Sequence, residues 1–155
     1  MHGSVITPDG LTRLREELER LETDGRRSVA ERLAQALAGE ANPAESADYH
    51  DARDEQALLE HRIALLRERL CTARLVEPQP GNGRVDVGEH VRVRDLASGE
   101  RLELELVGPH EADVAAGRIS VVSPLGRAIV GGRRGEVVEV DAPRGTMRYR
   151  ILAVA

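Results

Sequence analysis

Few residues in this 155-residue chain have the type and spacing to do chemistry. The five histidines, His2, His50, His61, His90 and His110, are scattered, and none stands at metal-ligand spacing from a cysteine or another histidine, which argues against a zinc site. Cys71 is the only cysteine, so no intramolecular disulfide is possible, as suits a reducing cytosol. Its place between Leu70 and Ala73 reads as packing or surface, not as a nucleophile. Gly131-Gly132 is a turn-like pair and not a phosphate-cradling loop, and Arg133 and Arg134 read as a solvated turn. Carboxylates remain. Glu40 and Glu45 flank Pro43 in the stretch Gly39-Glu40-Ala41-Asn42-Pro43-Ala44-Glu45. Taken alone, such a pair reads as ordinary solvated loop residues.

Two helical patterns hold that loop. Thr7 is a plausible N-cap, Pro8 suits the first helical position, and Asp9 favours the positive end of the helix dipole. Leu11, Leu14, Leu18 and Leu21 form a seam that continues less cleanly through Val29, Leu33 and Leu37, with Gly25 a weak point. Gly39, Asn42 and Pro43 stop the pattern. A second helix is expected from near Ala44. In it Tyr49, Ala52, Gln56, Leu59, Ile63, Leu66, Leu70 and Ala73 alternate spacings of three and four, a heptad seam. Each helix of roughly 30 residues would be ~45 Å long. The short break favours an antiparallel hairpin within the chain; a dimer of separate helices is the alternative.

Beyond Pro78-Gln79-Pro80-Gly81-Asn82-Gly83, a linker by composition, the period changes to two. Val91 to Arg94, Leu102 to Leu106 and Val138 to Val140 alternate as strands with one wet face. Ser98-Gly99 and Arg144-Gly145 are expected as turns, and residues 123–131 as a short helix ended by glycine. The expected class is α+β: a coiled-coil hairpin over residues 1–77, a linker over 78–83, and a mostly antiparallel β domain over 84–155.

Composition sets further bounds. The chain has no Phe, Trp or Lys, so its core must rest on Leu, Val, Ile and Ala, and all 22 basic residues are Arg. The net charge of −5 argues against a general nucleic-acid binder. Residues 1–77 carry 11 Arg against 16 Asp and Glu, and residues 78–155 carry 11 against 11, so the excess acid lies in the first half. No apolar run approaches a membrane span and no signal peptide opens the chain, so a cytoplasmic protein without a membrane partner is expected.

These segments, in this order, resemble the GreA/GreB transcript cleavage factors over nearly the whole chain. The matching stretches are Ile6-Thr7-Pro8-Asp9-Gly10-Leu11, Ala47 through Gln56 followed by Arg62-Ile63, Glu111-Ala112-Asp113, Gly117-Arg118-Ile119-Ser120, and Ser123 through Gly131. The resemblance implies an FKBP-like second domain that docks on the rim of the secondary channel of bacterial RNA polymerase, through Ile119, Ser120, Ser123, Pro124 and Leu125. It implies that the hairpin enters the channel, with Asp48, Tyr49 and Arg53 facing the channel and the RNA 3′ end, in a complex that also holds DNA. Glu40 and Glu45 would then be the catalytic tip acids. They would help hold a Mg²⁺ shared with the polymerase, which cuts backtracked RNA, so the chain has no metal site of its own and is not an enzyme alone. Prolyl isomerase activity is rejected, because that fold's isomerases use an aromatic pocket and this domain has only Tyr149.

The tip departs from the family pattern. Active members show a Gly-Asp step, an acid three positions later, and then Asn-Ala-Glu-Tyr. Here Glu40 stands for the Asp and Glu45 for the second acid, five residues apart around Pro43. Ser46 replaces the Asn, and Leu37 stands where active members often have an Arg of a basic patch; Arg53 is retained. A homologue that occupies the channel without cleavage, and inhibits transcription, is the alternative. A structural coiled-coil adaptor is a third reading, and it leaves the match in the second domain unexplained.

Overall fold

The computed structural model describes residues 3–39 and 42–155. It falls into two compact units. One is Thr12–Thr72, and the other joins the residues up to Leu11 to Ala73–Ala155.

In the helical unit, the first rod comprises α1 (Pro8–Arg20), one π-helical turn (Leu21–Gly25) and α2 (Arg26–Ala38). The backbone stays right-handed helical through Arg20, Gly25 and Arg26. A π turn inserts one extra residue into the helical repeat, and this explains why the leucine seam falters after Leu21. Downstream of it Val29 and Leu33 are half-buried, as expected, and the seam's next step is three residues rather than four. Ala36 is 8% exposed, whereas Leu37, expected in the seam, is 46% exposed.

The return helix α3 (Ala47–Thr72) begins three residues later than expected. Pro43–Glu45 form a 3₁₀ turn, and Ser46 is extended, with its Oγ accepting from Tyr49 N at 3.3 Å. Ser46 thus caps the helix, which is the N-cap role for which serine is favoured. The expected seam of α3 is otherwise observed. Ala52, Ile63 and Leu66 are buried, Tyr49, Gln56, Leu59 and Leu70 half-buried, and Ala73 falls just past the helix end. Leu18, Ile63 and Leu66 form the centre of the packing, with Leu14, Leu21, Leu59 and Leu70 around them. The two rods therefore pair within one chain. Among the described residues four ion pairs join them: Glu17–Arg62, Glu22–Arg67, Arg26–Glu60 and Arg32–Glu55. Such exposed pairs are screened by water and contribute little stability, so they favour a register more than they hold the hairpin. The hydrogen bond from Arg26 holds the Glu60 carboxyl below the usual carboxylate range.

The second unit opens on a two-residue strand β1 (Val5–Ile6), parallel to β2 (Arg74–Leu75). Its main sheet runs in the order β5-β4-β3-β7-β6, from β3 (His90–Asp95), β4 (Arg101–Val107), β5 (Arg118–Ser120), β6 (Val137–Ala142) and β7 (Gly145–Val154). The β3–β4, β3–β7 and β6–β7 pairs are antiparallel, and β4–β5 is parallel. Alternation decides the two faces: Val91, Val93, Leu106, Val140, Tyr149 and Ile151 are buried together with Val85 and Ile129. Gly99 takes φ +78 at one turn and Gly145 φ +119 at the other, a left-handed region that favours glycine. The short helix α4 (Pro124–Ile129) stops at Val130, before Gly131 at φ +77.

Within this unit Glu111 holds the residues that lead into α1. Thr7 N and Gly108 N donate to its Oε2 at 3.0 and 2.9 Å, and the Thr7 hydroxyl donates to Oε1. Thr7 in turn accepts from Gly10 N at 3.1 Å, which makes it the N-cap of α1. A Cβ on Gly108 would collide with the Val5 carbonyl, so this close approach requires glycine.

Candidate functional site

The hairpin tip is set by local chemistry. Asn42 is extended, which suits a residue before proline, and Pro43 starts the 3₁₀ turn. Glu45 N donates to Asn42 O at 3.1 Å and Ser46 N to Pro43 O at 3.2 Å. Glu45 is exposed and, among the described residues, makes no ion pair or side-chain hydrogen bond. Asp48, in the first turn of α3, is also exposed. Its charge is favoured by the positive end of the helix dipole. His50 Nε2 donates to Ala44 O at 2.8 Å, and the Tyr49 and His50 rings meet edge-on at 5.9 Å. Arg53 is exposed and donates to Gln56 Oε1 at 3.2 Å. Glu40 lies outside the described residues. Among the described residues no three of His, Cys, Asp and Glu are grouped as a metal site.

The segment from β5 to α4 lies in the other unit, and its polar residues turn the backbone. Ser120, largely buried, accepts from Val122 N at 3.1 Å through Oγ. Ser123 Oγ donates to Ser120 O at 2.6 Å and accepts from Gly126 N at 3.1 Å, so Ser123 caps α4 with Pro124 behind it. Gly126 lies against Ser120, where a Cβ would strike the carbonyl oxygen. Ile119 and Leu125 pack on the core. Of the five residues expected to dock, four thus serve the turn or the core. Pro124 is exposed, and so is Val122 at 51%.

Val122 was not among the expected site residues. Neither was Val114, 83% exposed on a 3₁₀ turn. A single apolar residue in a polar stretch carries no periodicity, and the only available signal was a β-branched residue between two turn-forming serines.

A hairpin of two long helices in one unit and a curled, largely antiparallel sheet in the other define the architectural class. Residues 4–75 match the family model described as "Transcription elongation factor, N-terminal", and residues 79–155 match "Transcription elongation factor, GreA/GreB, C-term". The chain belongs to the GreA/GreB family of transcription elongation factors. It is 40% identical over 151 residues to transcription elongation factor GreA of Thermodesulfovibrio yellowstonii, covering 97% of this chain and 95% of that one. It is 42% identical over 151 residues to GreA of Chlorobium phaeobacteroides, covering 96% and 94%. Among solved structures, GreA factor homolog 1 of Thermus thermophilus is 31% identical, with 97% of each chain covered and a TM-score of 0.42.

Proposed function

We propose that this elongation factor works in the cytoplasm on core RNA polymerase and rescues backtracked complexes by stimulating the polymerase's own RNA cleavage, without catalysing alone. The β domain docks on the rim of the secondary channel through the turn from Ile119 to Leu125, with Pro124 and Val122 as its exposed apolar contacts. The hairpin enters the channel. Its α3 helix has 26 residues, so a rod of ~39 Å carries the tip. Asp48, Tyr49 and Arg53 face the channel and the RNA 3′ end, in a complex that also contains DNA.

The observation that carries this reading is Glu45: an exposed, unpaired carboxylate held by a proline-initiated turn at the head of a long helix, in a chain of this family. A Mg²⁺ shared with the polymerase would supply Lewis acidity and water activation there. The donor chemistry fits, because Mg²⁺ takes oxygen ligands, keeps several waters and often needs only one or two carboxylates. Glu40 and Glu45 are those carboxylates. Pro43 and the two backbone hydrogen bonds of the turn fix where Glu45 starts, so less of its freedom is lost on engagement.

One observation favours the non-cleaving alternative. The two acids stand five residues apart in sequence and Glu45 is the last residue of the 3₁₀ turn, while near-octahedral Mg²⁺ tolerates little displacement of a ligand. The deciding experiment follows RNA cleavage in a stalled complex, with the parent and the Glu40→Ala and Glu45→Ala variants. Cleavage by the parent, lowered about 100-fold by either change with binding retained, supports rescue; that factor corresponds to about 2.7 kcal/mol of transition-state stabilisation. A parent that cleaves at no Mg²⁺ concentration and slows nucleotide addition establishes the alternative.

A further inference from the structure

The solvent face of the main sheet carries a row of arginines that the proposed function leaves unused. Arg94 on β3 stands directly opposite Arg101 on β4 and opposite Arg150 on β7. Residues paired in this way project from the same face. All three are exposed, while their neighbours Val93 and Ile151 point into the core. The three positions span two strand spacings, about 10 Å. Among the described residues none of the three guanidiniums is ion-paired to a carboxylate. The nearby Arg92 and Arg148 are, to Glu103 at 2.8 Å and to Glu139 at 3.7 Å. Arg94 Nε donates to the Gly99 carbonyl at 3.3 Å, which occupies one of its five N–H donors. Like charges placed opposite one another across strands destabilise a sheet. This sheet holds three in a line, and the acids beside them on the same face, Glu103 and Glu139, are paired to Arg92 and Arg148.

We propose that the Arg101–Arg94–Arg150 row binds the phosphodiester backbone of nucleic acid, without regard to base sequence. Phosphates of one DNA strand recur every ~3.4 Å along the helix axis, so a row of this length spans about three of them. Guanidinium groups present paired donors that match phosphate oxygens. No aromatic side chain lies on this face: Tyr49 is on α3, and Tyr149 is buried on the core side. Base stacking is therefore absent, and contact is confined to the backbone. An interface with an acidic protein would be built around an apolar centre, and here only Val137, opposite Arg150, extends the row. The chain's net charge of −5 opposes a polyanion at long range, so free nucleic acid is bound weakly and its binding is read at low salt.

The test uses the full chain and no polymerase, so its outcome and that of the cleavage assay are independent. A fluorescein-labelled DNA duplex, and the matching single strand, are titrated with protein by anisotropy at rising NaCl. Three phosphate contacts give a slope of log K on log salt of about −2.7 for the duplex and about −2.1 for the single strand. Whichever of the two binds more tightly identifies the backbone used. Each of Arg94→Ser, Arg101→Ser and Arg150→Ser should reduce the duplex slope by about 0.9, and the triple variant should lose binding. Arg27→Ser, which removes an exposed pair with Asp24 on the helical unit, should change nothing. The triple variant should melt at or above the parent temperature, because mutual repulsion is removed. The proposal is overturned if the parent binds neither DNA at the lowest salt, or if the triple variant binds as the parent does. A triple variant that melts lower would make the row structural. Polyglutamate competing as well as DNA would assign the row to an acidic polypeptide.

Discussion

Glu111→Ala should destabilise the sheet-bearing unit far more than removal of a surface carboxylate. At least three donors converge on this side chain, among them Thr7 N, the Thr7 hydroxyl and Gly108 N. Thr7 is 3% exposed and Gly108 is buried, so water cannot easily replace the lost acceptor. A buried donor left unsatisfied costs about 1–3 kcal/mol. The two backbone N–H groups alone then give a loss of about 2–6 kcal/mol, and the hydroxyl can turn elsewhere. Glu111→Gln is the sharper control: it keeps the shape but turns one oxygen into a donor, so the expected loss is about half as large. Urea unfolding reports the total, and amide hydrogen exchange at Thr7 and Gly108 locates it. A loss below about 1 kcal/mol for Glu111→Ala, with unchanged protection at both amides, would refute the claim that this carboxylate clamps the start of the first rod.

Three further outcomes are expected. Ile63→Ala, at a site 1% exposed in the hairpin core, should cost about 2–5 kcal/mol by urea unfolding, whereas Leu37→Ala, at 46% exposure, should cost under about 1 kcal/mol. Gly126→Ala should cost about 1–3 kcal/mol through overpacking against the Ser120 carbonyl, and should weaken polymerase binding; calorimetry and a competition assay check the two effects. The Arg26–Glu60 pair should make the hairpin acid-sensitive. The folded-state pKa of Glu60 is depressed, so its contribution is present above the ordinary carboxylate value of 4.5 and is lost as pH falls through and below it. Helix melting followed by circular dichroism between neutral pH and the acid limb should lose that contribution in Glu60→Gln.

Much of this architecture could be read from one sequence, because it depends on periods. The heptad of α3 from Ala52 to Leu70, the Thr7-Pro8 start, the alternating strands and the glycine that follows α4 are local patterns, and each is observed. The failures are equally physical. A π turn leaves no composition mark, and beyond it Ala36 and Leu37 both stand at helical spacing from Leu33; the smaller residue takes the buried place. A helix is expected from near Ala44, but Pro43–Glu45 form a single 3₁₀ turn and Ser46 then goes extended to cap α3. The parallel pairing of β1 with β2, and the grip of Glu111 on Thr7, join residues far apart in sequence, which no local period encodes. The candidate site divides in the same way. Tip acids can be named from motif, while the distinction between serines that build the β5–α4 turn and an exposed Val122 needs coordinates.

The parallel pair β1–β2 bears on how the chain folds. Parallel neighbours cannot be joined by a tight turn, and here the connection from Ile6 to Arg74 is the entire hairpin. Closing that connection as slack chain, instead of through a few residues at the feet of a finished hairpin, costs about 2 kcal/mol more by loop-closure entropy. The expected order of events is therefore that the helices zip first and the strand pair forms last. Substitutions at Ile63 or Leu66 should consequently slow refolding of the pair, whereas substitutions at Val5 should mainly speed its opening.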